Sequence, residues 1–176
     1  MKALMNYLEP VISSPAATGF TLAAASAGAL SMAFFAETLY GLDPCILCLY
    51  QRAPYAIAIF LGLVAVWAAN LLPRIAPWVL GLLTLTFASN VLIAAYHSGV
   101  ERGWWKSFLE GCAVPALEGN ITDVLAQIEA RTDAPRCDEI PWADPILGLS
   151  MANYNVLFCG ILAALAFAAA CRAWKR

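Results

Sequence analysis

The sequence predicts an all-α membrane protein, a bundle of four transmembrane helices with a long exterior loop carrying a short amphipathic helix. Of the 176 residues, 62% are apolar or aromatic and 12% are charged, and mean hydropathy is +0.72. An average soluble domain has roughly 45–50% apolar and about 25% charged residues. A chain of this size leaves too much surface in contact with its surroundings to hide that apolar excess in a water-soluble core. Charge-free runs at 10–36, 53–73, 75–100 and 145–171 each exceed the roughly 20 residues a helix needs to span a hydrocarbon core. The high apolar content excludes disorder, and ten Lys+Arg against twelve Asp+Glu exclude a nucleic-acid partner, leaving the lipid bilayer.

Trimmed at prolines and polar flanks, the helices are expected near 17–37, 45–70, 78–98 and 146–171. The first has a weak basic start in Lys2, but its long apolar stretch and the three spans after it favour an uncleaved helix over a secretory signal. Along it, Gly19, Ala23, Ala27 and Ser31 recur every four residues, a spacing at which small side chains let a second helix approach closely. An alanine-rich helix with no dedicated face is the alternative. A short polar turn (37–44) leads into helix two. The tight link 71–77, with Pro73, Arg74 and Pro77, makes helices two and three antiparallel neighbours. The loop 99–145 then leads into helix four. No repeat or low-complexity linker interrupts the chain, so one domain over 1–176 is expected.

Four crossings put both termini and the 71–77 link on one side. Lys2, Arg74, Arg172, Lys175 and Arg176 lie there, against Arg52, Arg102, Lys106, Arg131 and Arg136 on the other. The raw count is even, but three cations cluster at the end of helix four, where the positive-inside rule is read. Termini inside and the long, acidic loop outside is the expected topology. Cys45, Cys48, Cys112 and Cys137 then all face the exterior, where disulfides persist. Cys159 and Cys171 are twelve residues apart on one helix, about 18 Å, too far to bond, and read as packing residues.

The stretch Asp43-Pro44-Cys45-Ile46-Leu47-Cys48-Leu49-Tyr50-Gln51-Arg52 is the most informative. Asp43 suits an N-cap and Pro44 the first helical position, which would put Cys45 in the first turn. Unpaired N–H groups and the helix dipole favour a thiolate there. Cys45 and Cys48 share a face and can close a disulfide; Arg52, four residues past Cys48, reaches the same face. An arginine one turn inside a membrane helix is costly, and such residues are usually functional. It would stabilise a thiolate or bind the polar headgroup of a redox partner, with a snorkelling anchor as the alternative. Zinc, which wants four ligands, has one histidine to use, His97. A four-cysteine site is possible arithmetically, but the second pair lacks the short spacing of a zinc knuckle. No metal is expected.

Cys112 and Cys137, 25 residues apart, read either as a staple worth roughly 3–4 kcal/mol or as the second dithiol of a relay with the first. Between them Ile121, Val124, Leu125 and Ile128 fall at i, i+3, i+4, i+7, an amphipathic helix suited to the membrane surface. Trp104, Trp105 and Phe108 form an aromatic belt cluster or contact a partner protein. His97, titratable near neutral pH, is a candidate for binding or protonating a cofactor beside the dithiol.

Pro-Cys-Ile-Leu-Cys-Leu-Tyr-Gln-Arg at 44–52 resembles the DsbB family of quinone-linked, disulfide-generating membrane proteins. The likeness extends through Tyr96-His97-Ser98-Gly99-Val100-Glu101, Gly103-Trp104-Trp105, Cys112, Pro135-Arg136-Cys137-Asp138-Glu139 with Trp142, and Leu147-Gly148-Leu149-Ser150-Met151. The resemblance implies a protein-dithiol:quinone oxidoreductase of the bacterial inner membrane, with cytoplasmic termini and redox cysteines facing the periplasm. It implies that Cys112 and Cys137 accept electrons from a soluble DsbA-like thioredoxin-fold oxidase, Cys112 forming the mixed disulfide and Cys137 exchanging with Cys45. It places Cys48 and Arg52 beside a quinone, ubiquinone or menaquinone, drawn from the membrane pool. Vitamin K epoxide reductase-like proteins share a four-helix core and quinone chemistry, but carry the quinone-facing C-x-x-C on a late helix. A non-enzymatic four-helix protein with two structural disulfides is the other rival.

Overall fold

In a computed structural model of the chain, residues 9–109, 112, 120 and 136–176 are described. Among them are four long helices and no strands: α1 (Pro15–Tyr40), α2 (Ile46–Leu71), α3 (Ala76–Glu101) and α4 (Met151–Trp174). Each is long and apolar enough to cross a membrane. The expected amphipathic helix around 121–128 lies outside the described residues.

The helix ends follow local chemistry. Ser14 caps α1, its side chain accepting from the Ala17 N–H, and Gly41 ends it in the left-handed region at φ 61°, its N–H and that of Leu42 closing on Glu37 and Ala36 carbonyls. α4 starts five residues later than expected because residues 144–149 form a turn instead. Asp144 accepts from the Leu147 N–H through its side chain and from the Gly148 N–H through its carbonyl, with Gly148 at φ 64°. Ser150 and Asn153 then make a reciprocal capping box. α3 runs three residues past its expected end and so includes Glu101, which the sequence placed among the acids of the exterior loop.

α1 packs along α2, α2 along α3 and α3 along α4, while α1 and α4 touch sparsely. The α1–α2 seam is built on glycine. A Cβ on Gly19 would stand 2.6 Å from the Gly62 carbonyl oxygen, and one on Gly62 equally close to that of Gly19. Ala23 and Ala65 fill the same contact. The small-residue stripe therefore holds for its first two members, but Ala27 and Ser31 are exposed and the buried line passes through Leu22 and Ser26 instead. Phe87, Leu80, Leu83 and Leu22 lie at the centre of the core.

The sparse α1–α4 seam leaves a cavity of about 1220 Å³ at the end of the bundle where α2 begins. Ala25, Gly28, Ala29, Met32, Ala33 and Phe35 line it from α1, and the segment 139–142 lies across it next to Cys137.

Candidate functional site

The cavity's polar wall is the start of α2. The N-cap is Cys45 itself, not Asp43: its Sγ accepts from the Cys48 N–H at 3.3 Å, and the first helical residue is Ile46. Sulfur takes the place usually held by a serine or aspartate oxygen, which couples the Cys45 thiolate to the helix N-terminus more directly than a first-turn position would. One turn on, Cys48 Sγ stands 2.9 Å from Cys45 Sγ. The hydrogen bond from the Cys48 side chain, with smaller help from His97 and the Cys48 N–H, holds the Cys45 thiol well below its ordinary value of 9.0, against the opposing effect of burial.

α3 supplies His97, buried, with Nε2 3.5 Å from Cys45 Sγ and Nδ1 2.9 Å from Gln51 Nε2. A turn later the Glu101 side chain, 3% exposed, brings Oε1 to 3.8 Å from His97 Nε2 and accepts from the Ser150 hydroxyl at the head of α4. Glu101 is therefore an interior carboxylate beside the thiols. Ligand atoms of Cys45, Cys48 and His97 lie within 4.8 Å of one another; that is three donors, where a closed zinc site takes four.

Arg52 lines the cavity, but its guanidinium is engaged by α1. Nη2 lies 2.6 Å from Glu37 Oε1, and the group sits over the Phe34 ring, 5.2 Å from its centroid. The ion pair offsets part of the cost of an arginine inside a membrane helix. Glu37 ended a charge-free run in the sequence and gave no sign of its partner fifteen positions on.

Cys112 and Cys137 form a disulfide, both fully buried. They share one buried cluster with Cys45, Leu47 and Val100, and Cys48 packs against its edge. A bonded pair and an unbonded pair of cysteines are thus in one packed unit, with the unbonded pair opening onto the cavity. The chain belongs to the DsbB family. The family profile for Disulfide bond formation protein DsbB matches residues 16–169. An uncharacterized protein of Rickettsia prowazekii is 32% identical over 130 residues, 73% of this chain and 72% of that one. Disulfide bond formation protein B of Marinobacter nauticus is 33% identical over 147 residues, 79% and 82%. The protein of that name from Xylella fastidiosa is 28% identical over 178 residues, 98% and 97%. No solved structure matches significantly. As a DsbB-family chain with four apolar spans, this is a multi-pass membrane protein of disulfide bond formation, a disulfide-forming oxidoreductase.

Within this DsbB-family frame, the loop aromatics gather on the end of α3. Tyr96 stacks with Trp105 at 6.1 Å and 17°, and its hydroxyl accepts from the Phe108 N–H. Trp105 Nε1 donates to the Tyr96 carbonyl. Gly99 makes room, since a Cβ there would overlap the Trp105 ring. These contacts set the course of the chain from α3 toward Cys112.

Proposed function

We propose that the chain reoxidises a soluble, periplasmic, DsbA-like dithiol oxidase and passes the electrons through Cys112–Cys137 and then Cys45–Cys48 to a membrane quinone, ubiquinone or menaquinone. The observation that carries this reading is the burial of the Cys112–Cys137 bond in the same cluster as Cys45, beside a dithiol open to a large cavity. The proposed location is the bacterial inner membrane, with termini cytoplasmic and the four relay cysteines, Cys45, Cys48, Cys112 and Cys137, on the periplasmic side.

The partner's thiolate attacks Cys112 Sγ and displaces Cys137, giving a mixed disulfide that the partner's second thiol resolves. The disulfide of the oxidised partner leaves, and two electrons and two protons stay on Cys112 and Cys137. With Cys45–Cys48 in its disulfide form, the Cys137 thiolate attacks Cys45 Sγ and displaces Cys48. Cys112 then resolves the Cys137–Cys45 bond, so that Cys112–Cys137 re-forms and the two electrons and two protons stand on Cys45 and Cys48. Bond formation between Cys45 and Cys48 then releases the same two electrons and two protons to the acceptor. A quinone supplies two-electron acceptor chemistry at a potential that draws the sequence forward. The cavity suits one: apolar small residues of α1 face the polar edge made by Cys48, Arg52 and His97. Arg52 offers hydrogen-bond donors and positive charge to a polar ring substituent. Cys45, held as an anion at the helix N-terminus, is the sulfur ready to close on Cys48.

Purified protein in detergent, given a reduced thioredoxin-like dithiol and a quinone, is expected to bleach quinone absorbance catalytically. Cys48→Ser and Cys112→Ser should each abolish it. Inert disulfides and no quinone reduction by the native chain would instead leave a stapled membrane scaffold.

A further inference from the structure

One residue of the Cys-x-x-Gln-Arg stretch has no part in the relay above. Gln51 is buried, and its amide is held on every side. Nε2 donates to the Leu47 carbonyl at 3.1 Å and stands 2.9 Å from His97 Nδ1. Oε1 accepts from Asn155 Nδ2 at 2.6 Å. Asn155 Oδ1 in turn accepts from the Tyr55 hydroxyl and, at 3.3 Å, from the Cys159 thiol. The Leu47 carbonyl fixes the direction of the whole chain of bonds. A carbonyl only accepts, so the Gln51 atom facing it is the NH₂. Flipping the amide would set oxygen against oxygen at Leu47 and nitrogen against nitrogen at Asn155.

The same NH₂ faces His97 Nδ1, and an amide nitrogen has only hydrogens to give. Nδ1 is therefore the lone-pair side of the ring, and the ring hydrogen belongs on Nε2. The other face of the imidazole agrees independently, because Nε2 looks at two acceptors, Cys45 Sγ at 3.5 Å and Glu101 Oε1 at 3.8 Å. We propose that Gln51 is a positioning residue that locks His97 in its Nε2–H tautomer, so that the ring donates to the Cys45 sulfur instead of taking its proton. Asn155 and Tyr55, on α4 and α2, act through Gln51 as the brace that keeps its amide from turning. His97 then stabilises an anionic Cys45 while the disulfide with Cys48 is open. The functional weight of this tautomer rests on the redox role proposed for Cys45, but the tautomer itself is a property of the chain without quinone or partner.

His97 is the single histidine of the sequence, so ¹⁵N-histidine labelling reports it alone. The test is ¹⁵N NMR of the reduced protein in lipid bilayers, free of quinone and purified without a histidine tag. The native chain is expected to show a pyrrole-type Nε2 and a pyridine-type Nδ1. In Gln51→Glu the carboxylate can only accept, so Nδ1 is expected to become protonated and its signal to move to the pyrrole type. Asn155→Leu, which leaves Gln51 in place, should give signals of both tautomers. A pyridine-type Nε2 in the native protein would overturn the proposal, as would native shifts in a folded Gln51→Glu. A native Nε2–H tautomer in a chain that fails to reduce quinone would count against the relay and leave the role of Gln51 standing.

Discussion

The two cysteine pairs, given the same chemistry in the proposed relay, are assembled by different means. Cys45 and Cys48 are three positions apart and meet because the first turn of α2 puts them 2.9 Å from each other. Cys112 and Cys137 are 25 positions apart and meet by packing against that turn, with Leu47 and Val100. One pair is specified by backbone geometry and a cap, the other by burial. The largest difference should appear on removing one member of the first pair. Cys45→Ser keeps an excellent N-cap, so stability should change by less than about 1 kcal/mol, while dithiol-driven quinone reduction falls to the uncatalysed background. The Cys112→Ser, Cys137→Ser double variant should lose turnover equally, but also about 3–4 kcal/mol of stability in the loop-closure model. Denaturant titration in detergent reads both; equal midpoints for the two variants would erase the distinction.

The same contrast separates what was legible in the sequence from what was not. The spans and the helix dithiol depend on hydropathy and on residues within one or two turns, and stand close to their expected places, whereas the Arg52 guanidinium, expected on the dithiol face, is held by Glu37 and Phe34 of α1. The cap itself was misassigned. Asp43 and Pro44 satisfy the usual rules, but the chain enters the helix two residues later, where the Cys45 sulfur takes the Cys48 N–H. Long-range partners were invisible. Gln51 bonds to Asn155 at a separation of 104 residues, and Ser150 to Glu101 at 49. The usable signal was compositional: Gln51, Tyr55, Asn90 and Asn155 are polar groups inside apolar spans, where each must find a partner. Which partner it finds is fixed only by how the helices pack.

The Arg52–Glu37 pair tests whether the polar edge of the cavity tolerates an unmatched charge as the cap tolerates a serine. Removing one member of a fully buried pair costs about 3–5 kcal/mol. Both side chains here retain some exposure, 18% and 20%, so Glu37→Ala is expected to cost about half that, about 1–3 kcal/mol. It should also release the guanidinium from its ion pair, leaving the Phe34 ring as its contact on α1. The Arg52→Ala, Glu37→Ala double variant should recover part of the stability lost in Glu37→Ala, since no charge is left without its partner. A double variant less stable than Glu37→Ala would mean that Arg52 is held by groups other than Glu37.

The smallest expected change is a rate that stays level. The Cys48 hydrogen bond lowers Cys45 from its ordinary 9.0, so in the reduced chain the reactive anion is retained as pH drops below that value and is lost only on the acid side of neutrality. An ordinary thiol loses about tenfold in alkylation rate for each pH unit below its pKa. Iodoacetamide labelling of Cys45, followed by peptide mass spectrometry, should therefore be nearly flat from pH 9.0 down to neutral. Cys48→Ala removes the largest of the lowering contacts and leaves His97 in place, so its profile should begin to fall at a higher pH than the native one. A profile unchanged by Cys48→Ala would transfer the effect to His97 and the helix N-terminus, and would make the anion a property of the cap alone, independent of the second cysteine.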